Sequence, residues 1–302
     1  MSVTAFDNPP GRPIKGSPRF ILRRATPHDA GRLMDYLDED PWTNLFVRIR
    51  VECLLQAKLP RRNPDVYVLM AEAADPVRPV QGLCLVSNQL AMPVADHDEA
   101  ARAFGANLRI QRTSLAHVVG QRNPAASFWS AYGLGRTARL NRAQRYYVLD
   151  HDGALTDDRT PLSKARLGHA EALTIASAAM HLEETFIDPL TVAPDTFRLT
   201  VRQRILDGRA FVWMDDRQQV VFKADISCIG RHGVLVSGVY TRHDRRRQGI
   251  ARRAMSHMCR RLLRVFSSVM LYVNEGNTPA IRLYESLGFR YHRPYRTVFI
   301  EK

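Results

Sequence analysis

Arg246-Arg247-Gln248-Gly249-Ile250-Ala251 joins the β-rich run Val234-Leu235-Val236-Ser237-Gly238-Val239-Tyr240-Thr241 to an amphipathic helical pattern. At such a junction the first backbone N–H groups of the helix have no partner and the helix dipole is positive, a setting that suits a phosphate or pyrophosphate. Gly249 permits close approach of an anion and Ala251 keeps the first helical turn narrow. Working outward, the helix repeats Ile250, Ala254, Met255, Met258, Leu262 and Phe266 on one side and carries Arg252, Arg253, Arg260, Arg261 and Arg264 elsewhere. A second strand, Ser268 to Val273, follows. Then comes a short helix over Asn277 to Phe289, with Thr278 as its expected cap, Pro279 at its first position and Gly288 at its stop.

Two motifs in this order, R/Q-x-x-G-x-G/A at Arg246 to Ala251 and N-x-x-A-x-x-L-Y-x-x-x-G-F at Asn277 to Phe289, resemble the GNAT superfamily of acyl-CoA N-acyltransferases over roughly residues 160 to 300. The whole chain resembles an actinobacterial tandem group in which such a domain follows an uncharacterised, degenerate GNAT-like half. The resemblance implies an α/β (α+β) fold of two GNAT-like domains, each a mostly antiparallel mixed sheet with splayed central strands and flanking helices. It also implies acetyl-CoA as co-substrate. Val239, Tyr240 and Thr241 would line the pantetheine arm, the backbone of Arg246, Arg247, Gln248, Gly249, Ile250 and Ala251 would hold the pyrophosphate, and Asn277 would touch CoA. Tyr284 stands where many members of the family protonate the departing thiolate, while its ring also suits core packing.

The base that frees the attacking amine is less marked. Glu183 and Glu184 end the first helix of the second half, and Asp225 lies two residues after Lys223 on the same face of a strand over 220–226. Each can serve as base, bind a cationic amine, or sit in an ion pair. Cys228 and Cys259 have no evident histidine partner, so direct attack in a ternary complex is expected over a covalent route.

An internal repeat supports two related halves. At an offset of 155, Pro124, Ala125, Phe128, Trp129 and Gly133 fall on Pro279, Ala280, Leu283, Tyr284 and Gly288, and the strand-like Thr113 to Val119 falls on Ser268 to Asn274. The same offset sets Val94 against Gly249 and Asp96 against Ala251, and Asp96, Asp98 and Glu99 would repel a pyrophosphate. The expected organisation is a loose leader over 1–18, a degenerate domain over 19–150 without a CoA site, a linker over 151–162 and the catalytic domain over 163–302.

The composition excludes little beyond this. The formal charge is +14, yet only five of the 44 basic residues are lysines, and nine arginines against one acid between Arg242 and Arg264 put +8 beside the proposed anion turn. No recognisable nucleic-acid module accompanies that charge, so an arginine-rich RNA- or ribosome-binding protein ranks behind an enzyme and behind a CoA-binding sensor without turnover. There is no apolar run of about 20 residues to span a membrane. The four cysteines form no C-x-x-C pair, and a cytoplasmic, metal-free protein is the expectation. The acceptor, small amine or protein, is left open.

Overall fold

The computed structural model describes residues 20–55, 66–73, 77, 79–156 and 160–301. The expected leader over 1–18 lies outside them, as do Asp157 and Asp158 of the expected linker. The chain divides into two compact units. The first comprises Met1–Glu39, Val47–Asn141 and Arg296–Lys302, and the second Asp40–Phe46 and Arg142–Tyr295. The main crossing therefore falls at Asn141/Arg142, ahead of the turn-rich segment at Asp150. Strand pairing is the physical reason: residues 144–149 are hydrogen-bonded to a strand of the second unit.

The first unit runs β1 (Phe20–Arg24), a 3-10 turn at Pro27–Asp29, α1 (Ala30–Asp38), α2 (Leu45–Leu55), β2 (Tyr67–Ala73), β3 (Val80–Ser87), β4 (Leu90–Ala95), α3 (Asp98–Ile110), β5 (His117–Gln121), α4 (Arg122–Tyr132) and the start of β6 (Ala138–Leu149). Pairs β1–β2, β2–β3 and β3–β4 are antiparallel and β4–β5 is parallel. Phe104, Leu108, Phe128 and Tyr132 of α3 and α4 pack on Leu69, Cys84, Val86 and Val118 of this sheet.

The second unit repeats that order. It runs β7 (Ser163–Lys164), a 3-10 turn at Leu167–His169, α5 (Ala170–Thr185), α6 (Pro189–Val192), α7 (Pro194–Leu206), β8 (Ala210–Met214), β9 (Val220–Gly230), β10 (Gly233–Thr241), a 3-10 turn at His243–Arg245, α8 (Ile250–Leu263), β11 (Val269–Asn274), α9 (Thr278–Ser286) and β12 (Arg290–Ile300). β7 to β10 pair antiparallel in sequence, β10–β11 is parallel, and β11 pairs antiparallel with β6. The apolar stripe read from the sequence seats α8: Ile250, Ala254, Met255, Met258 and Leu262 are buried with Leu271, Val273, Ile281 and Tyr284, each fully buried aliphatic side chain contributing about 1.5–3 kcal/mol. α5 and α7 form a separate cluster through Leu173, Ala176, Val201 and Ile205 on Val212, Val220 and Tyr240. The strands belong to one 12-stranded sheet, and within each unit its pairs are mostly antiparallel with one parallel pair and helices alongside. Among the described residues no helix is long and apolar enough to cross a membrane.

Candidate functional site

The turn between β10 and α8 leaves a row of donors open. Arg245 N–H donates to Arg242 O and Arg246 N–H to His243 O, closing the 3-10 turn, and the next backbone bond is Arg253 N–H to Gly249 O. Between them the backbone N–H groups of Arg247, Gln248, Gly249, Ile250, Ala251 and Arg252 find no acceptor among the described residues. Consecutive free amides at the positive end of a 14-residue helix suit an anion. The expected set, Arg246 to Ala251, moves along by one, because the Arg246 amide is spent within the turn.

Side chains brace this turn. The Arg246 guanidinium bonds Thr241 O at 3.0 Å and Glu183 at 2.8 and 2.9 Å, and lies 5.6 Å from the Tyr240 ring centroid. Arg242 bonds Asp215 at 2.9 Å and Asp244 at 2.7 Å, and Gln248 Nε2 donates to Asp244 O. Gly249 is the N-cap at φ +72°, and Arg247 also has positive φ. A Cβ on Gly249 would meet nothing within 4 Å, so the glycine answers the left-handed backbone here and no protein neighbour crowds it.

Among its described residues the first unit has no such turn. β4 reaches α3 through Asp96 and His97 alone, with N-cap His97 at φ −127°, where the second unit inserts Arg242 to Gly249. Matching N-caps pair His97 with Gly249, an offset of 152, and this corrects the pairing of Val94 with Gly249. The matching strand is β5 at His117–Gln121, which departs from the expected Thr113 to Val119. The offset of 155 applies only from α4 onward, because β5 runs straight into α4 whereas Glu275 to Asn277 separate β11 from α9.

β10 and β11 pair only at Val234↔Val269 and Leu235↔Met270, and the remainder of β10 stays with β9 alone. That is the expected splay. A bulge interrupts β9–β10 between Ser237 and Tyr240, with Gly238 at φ +58°. Beneath it Lys223 Nζ donates to Asp225 Oδ2 at 2.7 Å and to Gly238 O at 3.0 Å, and Arg204 donates to the same Oδ2 at 2.9 Å. A Cβ on Gly238 would lie 2.5 Å from Asp225 Oδ2. Asp225 is 1% exposed and engaged by two cations, which corrects its candidacy as base. Past the bulge Val239 leans on the α8 core and Tyr240 on the α5 and α7 cluster, so only their backbone can line an arm in the splay.

The two glutamates differ. Glu183 is held by Arg246 across the exposed surface. The Glu184 carboxylate has no hydrogen bond or ion pair among the described residues, and although its side chain reaches solvent, burial raises its pKa against the opposing pull of Lys223 and Arg142. Tyr284, 6% exposed, packs edge-on to Phe289 at 5.7 Å between centroids, and its hydroxyl has no hydrogen bond among the described residues. Burial and then the Glu184 charge hold the phenol well above its usual pKa, so it stays protonated. Tyr284 belongs to the α8 and α9 core while Glu184 belongs to α5, and the Glu184 charge adds to burial in raising the Tyr284 pKa.

Asn277, expected to contact CoA, is the N-cap of α9 and accepts from Ala280 N–H at 3.2 Å, leaving Thr278, the expected cap, as the first helical residue. Cys228 and Cys259 are buried, and burial lifts the Cys259 thiol to about 12, which removes it as a nucleophile. A pocket of about 410 Å³ lined by Asp150, His151, Arg260 and Arg264 lies at the other end of α8 and includes none of these groups. The sequence missed Lys223 as the organiser of the bulge, although charge beside charge at 223 and 225 was an available sign of it.

Residues 221–298 match the family model described as FR47-like protein. No curated protein matches the chain. Among solved structures it is similar to a GCN5-related N-acetyltransferase from Sphaerobacter thermophilus (TM-score 0.59, 15% identity, 93% of this chain and 95% of that one). It is also similar to a tandem GNAT protein from the clavulanic acid biosynthesis pathway (0.56, 12%, 92% and 97%) and to a GNAT-family acetyltransferase from Colwellia psychrerythraea (0.55, 10%, 93% and 100%). The resemblance read from the two motifs therefore holds in sequence over the C-terminal part and in fold over nearly the whole chain.

Proposed function

We propose that this chain, GNAT-like in sequence over its C-terminal part and in fold throughout, is an acyl-CoA-dependent N-acyltransferase that passes acetyl to a primary amine by direct attack. The carrying observation is the row of free backbone amides at the start of α8, directly after β10, whose pairing with β11 ends at Leu235 and Met270.

The residues fit acetyl-CoA. The amides of Arg247 to Arg252 suit its pyrophosphate, the arginines of α8 its remaining phosphate, and the parted backbone of β10 its extended arm. When bound, acetyl-CoA supplies the acyl group as a thioester. Glu184 takes a proton from the acceptor ammonium, a task favoured by its raised pKa. The amine lone pair then forms the C–N bond as the C–S bond breaks, Tyr284 gives its hydroxyl proton to the departing sulfur, and the second proton leaving the nitrogen restores the Tyr284 hydroxyl. Lys223 and Asp225 hold the bulge that shapes this opening, and Glu183 steadies the turn through Arg246. The first unit, with only Asp96 and His97 in place of the turn and with Asp98 and Glu99 in the first turn of α3, is a degenerate copy that binds no CoA.

Acetyl-CoA is expected to raise Tm by ligand linkage, about 2.7 kcal/mol of stabilisation at 100 times Kd, and to release free CoA with an amine panel. A thermal shift without turnover would identify a sensor. No shift, with salt-steep RNA binding instead, would overturn the proposal.

A further inference from the structure

Lys223 of β9 is 1% exposed, and its ammonium donates to two acceptors, Asp225 Oδ2 at 2.7 Å and the Gly238 carbonyl oxygen at 3.0 Å. Arg204 of α7 donates to the same Asp225 oxygen at 2.9 Å and so fixes the pair from a neighbouring helix. A buried ion pair gains little net stability over apolar side chains of the same volume, so the bond to Gly238 O is what sets this pair apart from core packing. β9 and β10 pair at Ser237↔Asp225 and at Tyr240↔Lys223, which leaves Gly238 and Val239 together opposite Ala224. The peptide joining those two residues is planar and trans, so its N–H points opposite to its C=O. With the Gly238 oxygen drawn to Lys223, the Val239 N–H is aimed away from β9, on the side where β10 pairs with β11 only as far as Leu235. Gly238 is needed here: its φ is +58°, and a Cβ would lie 2.5 Å from Asp225 Oδ2 and 2.9 Å from Lys223 Nζ.

Building on the acyltransferase reading, we infer that Lys223 is a positioning residue for acyl transfer, which aims the Val239 N–H at the thioester carbonyl oxygen and strengthens it as a donor. The aim comes from the bond to Gly238 O. The strength comes from the charge: a cation on a peptide oxygen draws electron density from the peptide nitrogen, and its N–H then donates more strongly. As the amine lone pair forms the C–N bond, the carbonyl electron pair moves onto oxygen, where the Val239 N–H meets it, and it returns as the C–S bond breaks. Lys223 neither gains nor loses a proton, and Asp225 and Arg204 serve to hold it in place.

The test compares wild type with two variants, Lys223→Met combined with Asp225→Asn, which removes the lysine without leaving its carboxylate partner behind, and Gly238→Ala, whose Cβ presses on the same pair from the other strand. Each is measured for Tm, calorimetric affinity for acetyl-CoA, turnover of an amine that wild type uses, and the infrared band of the thioester carbonyl in bound acetyl-CoA labelled with carbon-13 at that carbon. In wild type the band should fall below its position in free acetyl-CoA. In the double variant it should return to the free position, with kcat lowered about 10²-fold and acetyl-CoA affinity within about threefold of wild type. Gly238→Ala should lose the band shift as well. A purely structural lysine would change Tm and leave the band and kcat where they were. The positioning role is overturned if the wild-type band stays at the free position, if either variant binds acetyl-CoA and keeps the shift, or if the double variant keeps kcat within about threefold of wild type. Absence of acetyl-CoA binding to wild type, or of turnover with any amine, would instead overturn the acyltransferase reading beneath it.

Discussion

Replacing Gly249 isolates the backbone turn from the charges around it. Its φ of +72° and ψ of 0° lie in the left-handed region, and a Cβ there would meet nothing within 4 Å. Gly249→Ala therefore introduces backbone strain without a clash, about 1–2 kcal/mol. If the free protein relaxes that strain, the amides of Arg247 to Arg252 turn aside and acetyl-CoA must restore them, weakening Kd by about 5- to 30-fold. Gly249→Glu adds a carboxylate. At about 6 Å from a pyrophosphate bearing two charges, the repulsion in water is about 1.4 kcal/mol, a further factor of about ten. Titration calorimetry with acetyl-CoA at low salt and at about 1 M salt separates the two effects, because a Debye length of about 3 Å suppresses the electrostatic factor and leaves the strain. Gly249→Asn, which tolerates the left-handed region, should fall between wild type and alanine. Wild-type affinity in Gly249→Glu at low salt would refute the assignment of this turn to the pyrophosphate.

Tyr284→Phe should lower kcat by about 10²-fold or more while leaving Tm and acetyl-CoA affinity nearly unchanged, because the hydroxyl makes no hydrogen bond within the described protein; steady-state kinetics with calorimetry checks this. Glu184→Gln should lose amine turnover yet melt higher than wild type at pH 7–8. Burial raises the folded pKa of Glu184, so the stability linked to this group is full below the ordinary carboxylate pKa and is lost as pH rises through the folded value. The advantage of the variant should therefore vanish in acid, and Tm measured against pH checks it. Lys223→Met should destabilise by about 3 kcal/mol in chemical denaturation by leaving Asp225 to Arg204 alone, and adding Asp225→Asn should recover much of that loss.

The C-terminal half was legible because its signals are local. The turn at Arg246 to Ala251, the stripe of α8 and the Pro279 start and Gly288 stop of α9 each depend on residues within a few positions, where capping, periodicity and backbone preference act. The repeat was also visible, but its single offset hid a change in loop length. An ungapped comparison cannot see that β5 abuts α4 while three residues part β11 from α9.

By itself, then, the sequence determined the order of elements, the glycine-bearing turn into α8 and the start and stop of α9, because each is set by chemistry between near neighbours along the chain. Only the tertiary structure set the three carboxylates apart. Glu183, Glu184 and Asp225 look equivalent as residue types, and what separates them is which cations fold against them: Arg246 takes the first, Lys223 and Arg204 take the third, and Glu184 is left without an ion pair among the described residues. The grouping of the Tyr146, Tyr272 and Tyr295 rings is of the same kind: they come from strands distant in sequence, and only the sheet brings them together.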